Sequence, residues 1–432
     1  MNQTSYAKMP LPPSLWAATA VPAPDTPAME GDQQADVAIV GGGFTGLSAA
    51  LHLAQGGADV AVLEAAEPGW GASGRNGGQV IPGLKEDPRQ IIARFGQKDG
   101  EAMVRASGAG ADLVFGLIAE HGIECDAQQN GWIQAAHTQG MLGDLRKRHQ
   151  DWAQRDANVA WLEPNELAQR MGDGRYKGGW IDKRGGGVQP LGYARGLARA
   201  AQDLGARVHG STPVLSLNQT TNGWRLATAN GSLTAGKVIL ATNGYTDGLW
   251  PKLEHTVVPV FSVQVATAPL GENIRGKVLG GGEVLSDTHR VLWYFRQDGH
   301  GRLLMGGGGS AYESGAVKVY EGLRQRIHSL LPEAGEIEFE YAWNGKVAIT
   351  PDHYPHLHEL APGLLAGLGF NGRGVAMATM VGKILAYRVL ETAQPEFVFP
   401  NMTPRPLPLH FMRGVAVTAT RAYYRFRDAL DG

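Results

Sequence analysis

The sequence predicts an α/β chain in which a doubly wound dinucleotide-binding domain is interleaved with a second domain built on an antiparallel sheet. Three observations predict it. An apolar run, a turn reading GxGxxG at residues 41–46, a helical run and a second apolar run form one strand-turn-helix-strand unit. Strand-type runs of the same kind return at 237–240 and 364–368, long after the first pair, so the parallel sheet is discontinuous along the chain. Between those two lie candidate strands with the spacing of an antiparallel sheet.

Composition bounds the alternatives. A chain of 432 residues, 43% hydrophobic and 19% charged, can bury several cores and is neither a mini-protein nor largely disordered. With 39 Lys and Arg against 41 Asp and Glu, the formal charge of −2 provides no whole-molecule field for a nucleic acid. The single cysteine, Cys125, excludes an internal disulfide and a multi-cysteine zinc site. Sixty-one glycines, about twice average usage, indicate close approaches of backbone. The apolar stretch 37–54 is interrupted by glycines and His52, and 374–390 by Lys383 and Arg388, so no spanning helix is expected. One cation, Lys8, among the first 30 residues, and the breaks at Pro10, Pro12, Pro13, Pro22 and Pro24, argue against a signal peptide, and a cytoplasmic location is expected.

Residues 1–34 are Pro- and Ala-rich and read as an arm, anchored by Trp16 and either wrapped on the body or partly mobile. The dinucleotide-binding domain takes 35–87, 188–254 and 345–395, with strands at Val37–Val40, Val60–Leu63, Lys237–Leu240 and Leu364–Leu368. The second domain takes 88–187 and 255–344. In it, helical cover from Pro88 to His121 should break at Gly96 and Gly100, and the basic run Arg146-Lys147-Arg148 reads as a solvated helix face. Strands are expected at 131–136, 256–267, 291–295, 302–305 and 337–342. Residues 396–432 form a C-terminal helical segment whose arginines and aromatics suit packing on the body or a partner better than a membrane surface.

The fingerprint carries a physical argument. Gly41 permits the tight turn, Gly43 admits a pyrophosphate to the helix N-terminus beside Phe44 and Thr45, and Gly46 lets helix and strand close. Glu64, ending the second strand, can accept ribose hydroxyls. Three further segments accompany it: Gly71-Ala72-Ser73-Gly74-Arg75-Asn76-Gly77-Gly78-Gln79, then 237–244 with Ala241 and Thr242, and Gly369-Phe370-Asn371-Gly372-Arg373-Gly374 followed by Val375.

Together these motifs resemble the FAD-dependent amino acid and amine oxidoreductases related to D-amino-acid, glycine and sarcosine oxidases, in particular the γ-glutamylputrescine oxidoreductase branch, whose Gly-Ala-Ser-Gly-Arg-Asn-Gly-Gly stands at 71–78. The resemblance implies a Rossmann-like FAD-binding domain, with Val214 against the adenine and the 71–79 and 241–244 segments beside the cofactor. It also implies a helix start at Arg373 that stabilises negative charge on the flavin ring. Covalently flavinylated relatives carry a cysteine where this chain has Val347, which implies non-covalent FAD. The usual carboxylate-binding Arg is absent from 343–348, so Lys346, or Tyr294 and Arg296 on one strand face, become the substrate-binding residues. His353, His356 and His358 lack a matched carboxylate geometry, and no metal site is expected.

The expected activity is oxidation of an extended amine, such as a γ-glutamylamine, to an imine that water hydrolyses, with molecular oxygen or another acceptor taking the electrons. The alternatives are oxidation of a secondary amino acid, N-substituted glycine or iminodiacid, and a non-catalytic FAD-binding subunit. The oligomeric state is not legible.

Overall fold

Val37–Val40 and Val60–Leu63 are apolar on both faces, which suits central parallel strands covered on each side. The computed structural model, which describes residues 9–172, 174–392 and 398–431, places them at the centre of an eight-stranded sheet. Residues 1–8 of the arm, 393–395 of the first domain's last segment, and 396, 397 and 432 of the C-terminal segment lie outside the described residues. The strand order is His356–Ala361, Leu364–Leu368, Gly231–Leu240, Gly31–Val40, Val60–Leu63 and Arg207–His209, with Gly223–Ala227 and Ser216–Thr220 branching from Gly231–Leu240. Pairing is parallel from Leu364–Leu368 through Arg207–His209, and Val37 lies opposite both Lys237 and Val60.

Alternation sends Val37 and Ile39 into a core shared with helices Phe44–Gln55, Pro190–Asp203 and Gly374–Val389, while Ala38 and Val40 face Trp224, Leu226 and Leu253. Helix Pro88–Glu120 joins the first of these cores through Ile91, Met103, Val114 and Leu117. It kinks at Gly96, whose φ is +80°, but runs straight through Gly100, so the second expected break does not occur. By length and composition this is the one helix among the described residues that could cross a membrane, and more than half of its apolar window is buried in the protein.

The second sheet also has eight strands, in the order Phe339–Ile349, Val258–Thr267, Leu303–Ser310, Trp293–Gln297, Val284–Asp287, Trp132–Ala135, Gly179–Asp182 and Val159–Leu162. It is mixed rather than purely antiparallel, because Val284–Asp287 and Trp132–Ala135 run parallel. Helix Ala316–Leu330 buries Val319, Leu323 and Ile327 against it.

The described part of the arm, from residue 9, is wrapped on the body. Gln189 Nε2 donates to the Trp16 carbonyl at 2.9 Å and Arg195 Nη1 to that of Val21 at 2.6 Å. Trp16 is buried, meets Trp343 edge to face at 5.7 Å, and donates Nε1–H to the Asn76 carbonyl at 2.7 Å.

Arg296 completes the joint between the domains. Its side chain is 2% exposed, and Nη1 donates to the carbonyls of Val188 at 2.7 Å and Gly78 at 3.2 Å. Burial pulls its pKa below the ordinary arginine value, with Asp126 and Asp298 acting the other way. The expectation that Arg296 binds substrate is therefore corrected. Alternation does put it on the same face as Tyr294, but there the 76–79 loop and Val188 cover the guanidinium. Because a hydrogen bond from a charged donor is worth ~1.5–3 kcal/mol and its loss strands the Val188 carbonyl, while Gly78 keeps the Val188 N–H at 2.8 Å, Arg296→Met should lower the unfolding free energy by about 2–3 kcal/mol. Urea titration of both proteins checks this, and an unchanged midpoint would show that another donor satisfies Val188.

Candidate active site

A cavity of about 1550 Å³ is lined from both sheets. Small-molecule pockets commonly measure ~300–1,000 Å³, so this one has room for a dinucleotide and a further small molecule. All the sequence-predicted cofactor residues except Gly46 and Gly78 line it, as do Tyr294, Lys346 and Arg373, while Arg296 does not.

Its dinucleotide end is built by close backbone contacts. Gly41 has φ +108°, and a Cβ there would come within 2.9 Å of the Ala241 carbonyl. A Cβ on Gly46 would overlap the Gly41 carbonyl, so Gly46 serves the turn from outside the cavity. Glu64 accepts from Gly42 N–H at 2.6 Å and Ala66 N–H at 2.9 Å; burial raises its pKa while these bonds oppose the shift. Ser73 Oγ accepts Phe44 N–H at 3.0 Å. The first helical bond runs from Leu47 N–H to Gly43 C=O, which leaves Thr45 N–H in the unsatisfied first turn, facing the cavity. Val214 stands beside this end with Leu63 and Glu64 among the lining residues, in the loop before strand Ser216–Thr220.

The 71–79 segment is shaped from within and without. Asn76 donates to the Ala72 and Ser73 carbonyls and accepts Gly78 N–H at 2.8 Å, while Arg75 Nε donates to Trp70 O at 2.8 Å with its guanidinium 4.2 Å over the Trp70 ring. These two polar side chains, expected to reach the cofactor, are engaged in the loop itself. Gln79 is likewise tied to the second domain, donating to Leu285 O at 3.0 Å and accepting from Ser286 Oγ at 2.9 Å.

At the other end, Asn371 takes φ +52° and accepts Thr350 N–H at 2.9 Å, fixing the turn before helix Gly374–Val389. Arg373 Nη1 donates to the Pro82 carbonyl at 2.9 Å, with the guanidinium 5.0 Å over Trp132. Burial, together with Arg148, lowers its pKa to about 9, so it stays charged at neutral pH. Tyr294 packs against Gly77, where a Cβ would lie 2.6 Å from the ring, and shares a 2.9 Å hydrogen bond with Ser262. Burial pushes its pKa up to about 12, which keeps the phenol neutral. Lys346 Nζ lies 4.9 Å over the Tyr245 ring.

Sequence reasoning missed other lining groups. His289 Nδ1 meets Asp287 Oδ2 at 2.6 Å, and that buried carboxylate also accepts Trp293 N–H at 3.0 Å. The pairing fixes the ring and, in its neutral form, leaves Nε2 as the acceptor position. The His289 ring stacks at 3.7 Å on His137. The Asp-x-His spacing at a strand end was the available signal. Arg148, expected on a solvated face, instead turns inward to Asp87, Gln134 and the Lys85 carbonyl. The three histidines of 353–358 diverge, His353 to Glu86, His356 to Asp352 and His358 to the Met402 carbonyl.

A family profile described as DAO, FAD dependent oxidoreductase, matches residues 36–388. The chain is 30% identical over 405 residues to a probable oxidoreductase OrdL of Haemophilus influenzae, covering 92% of each chain. It is also 30% identical over 398 residues to γ-glutamylputrescine oxidoreductase of Escherichia coli, covering 91% of this chain and 93% of that one. Glycine oxidase from Geobacillus kaustophilus shares the fold, with TM-score 0.70 at 23% identity over 84% of this chain and 96% of that one.

The residues fit FAD: a glycine cradle at Gly43, first-turn N–H groups for the pyrophosphate, and Glu64 for the ribose. A Cβ on Gly43 would come 2.9 Å from Ser73 Oγ, so Gly43→Val should both fill the pyrophosphate space and push Ser73 off Phe44. The purified variant should carry almost no flavin by absorbance; full occupancy would contradict this placement of the cofactor.

Proposed function

Because the chain belongs to the DAO family of FAD-dependent oxidoreductases, it is an enzyme of amine or amino acid oxidation, and we propose that its substrate is an extended amine carrying a remote carboxylate, of the γ-glutamylamine type. Bound FAD supplies the two-electron acceptor. In this reading the C–N unit loses two electrons and two protons to become an imine, water hydrolyses it to a carbonyl and a smaller amine, and oxygen receives the electrons to give hydrogen peroxide. His289 Nε2, steadied by Asp287, takes the amine proton. Neutral Tyr294 walls the reacting end. Arg373 supplies positive charge beside the helix start, and FAD is held without a covalent bond, Val347 standing where a cysteine would be needed.

The observation that carries the reading is the missing carboxylate fork: no arginine stands at 343–348, so a short α-amino acid has no guanidinium clamp on that strand. Arg296, expected to take the remote carboxylate, is covered by backbone carbonyls and leaves that role to another residue. Lys346, in the same cavity, favours a second reading in which a small N-substituted glycine is held by its ammonium; the 26% identity to glycine oxidase of Bacillus licheniformis supports that reading.

Anaerobic bleaching of the flavin separates the two. A γ-glutamylamine should bleach it at least tenfold faster than glycine, sarcosine or D-alanine; faster bleaching by any of these three replaces the extended-amine assignment with the second reading. Arg373→Met should leave FAD bound, move the flavin midpoint potential to a more negative value, and slow bleaching ~10²-fold, with Arg373→Lys recovering part of both. Potential and rate that do not change would make Arg373 a support for Pro82 and Trp132 alone.

A further inference from the structure

The chain continues beyond residue 388, where the family match ends, and that continuation returns to the cavity. Met402 N–H bonds to the Leu357 carbonyl at 2.8 Å on the edge of the first sheet. Leu407 N–H then reaches His255 O at 2.9 Å, and His410 Nε2 lies 2.9 Å from Val257 O. Helix Arg413–Asp431 follows, and Arg290 of the second domain holds its far end through Asp428 at 2.8 Å and Asp431 at 2.6 Å. The segment is thus a strap from one domain to the other. Along it Arg413, Ala416, Val417, Thr420, Arg421 and Tyr424 line the cavity, and their spacing of three and one marks a single helix face.

We propose that Arg421, on this strap, is the anchor for the substrate's remote carboxylate. The inference rests on the extended-amine reading above for the substrate but on independent residues for the site. The other guanidinium groups lining the cavity have acceptors: Arg75 on Trp70, Arg148 on Asp87, Arg290 on Asp428, Arg373 on Pro82 and Arg413 on the His410 carbonyl. Arg421 has a buried Nε with no hydrogen-bond partner among the described residues, and burial and its neighbour Arg425 both lower its pKa. The cavity's carboxylates have other partners. Glu64 is taken by Gly42 and Ala66, Glu86 by His353, Asp87 by Arg148, Asp144 by Lys147, Asp247 by Leu249 N–H and Asp287 by His289. A planar donor fork with no anion of its own, facing a cavity, matches a carboxylate ligand.

Two measurements test the anchor on FAD-loaded protein, with occupancy and melting temperature matched between variants. The first is equilibrium binding of glutarate monoamide, which keeps the carboxylate and amide but has no oxidisable amine, followed by perturbation of the flavin spectrum. Arg421→Gln should raise its dissociation constant about 10- to 100-fold and Arg421→Lys by less. The second compares bleaching by a γ-glutamylamine and by the same amine lacking the carboxylate; Arg421→Gln should raise the apparent dissociation constant of the first about 10-fold or more and that of the second by less than about twofold. No binding of the monoamide by wild type, equal binding by Arg421→Gln, or equal losses for both amines would overturn the anchor. Monoamide binding that depends on Arg421, with no amine bleaching the flavin, would instead leave the anchor standing and remove the proposed reaction.

Discussion

The cofactor side of the molecule depends on how three carbonyls, those of Arg75, Asn76 and Gly78, are satisfied. Gln264 and Trp343 donate to the first at 2.7 and 2.9 Å, Trp16 to the second at 2.7 Å, and Val188 N–H and Arg296 to the third at 2.8 and 3.2 Å. All five donors are far away in sequence: one comes from the arm, one from the loop before helix Pro190–Asp203 and three from the second sheet. A glycine-rich loop has many conformations to lose, and each distant donor offsets part of that entropy by fixing a carbonyl outward. The loop can then present the residues between these carbonyls to the cavity. Domain joint and cofactor wall are one set of bonds.

Electrostatics at the other end of the cavity follows a complementary rule. Among the groups lining it are three cations, Lys346 against aromatic faces, Arg373 over Trp132, and Arg421 on the strap. In a partly desolvated site such charges act more strongly than on the surface. The cavity therefore carries positive charge at several points of its lining, although the whole chain is nearly neutral.

What was legible in the sequence was local. The 41–46 turn, Val60–Leu63 and Leu364–Leu368 could be read because glycine φ requirements and doubly buried strands leave marks on adjacent residues. Arg296 could not be placed, because alternation gives the face of a side chain and not what covers that face. The strands Val159–Leu162, Gly179–Asp182 and Val284–Asp287 are short, and the pairing of the last with Trp132–Ala135, about 150 residues earlier, leaves no local trace. The inward turn of Arg148 and the return of residues 413–424 to the cavity depend on partners more than 60 residues away for the former, at Asp87, and more than 130 for the latter, at Arg290. No window of sequence contains both members of either pair.

The parallel ladder has a consequence for synthesis. Gly31–Val40 leaves the ribosome early, but its partner Gly231–Leu240 follows some 200 residues later, and Leu364–Leu368 only near the end. Until then the nascent chain carries the apolar run Val37–Val40 with an open hydrogen-bonding edge, a template for pairing with other chains. High contact order of this kind slows folding, because loop closure precedes any reward from the contacts. The nucleotide cradle is encoded some 200 residues before the strand that flanks it, so its glycines spend that interval without the sheet that gives them their conformation.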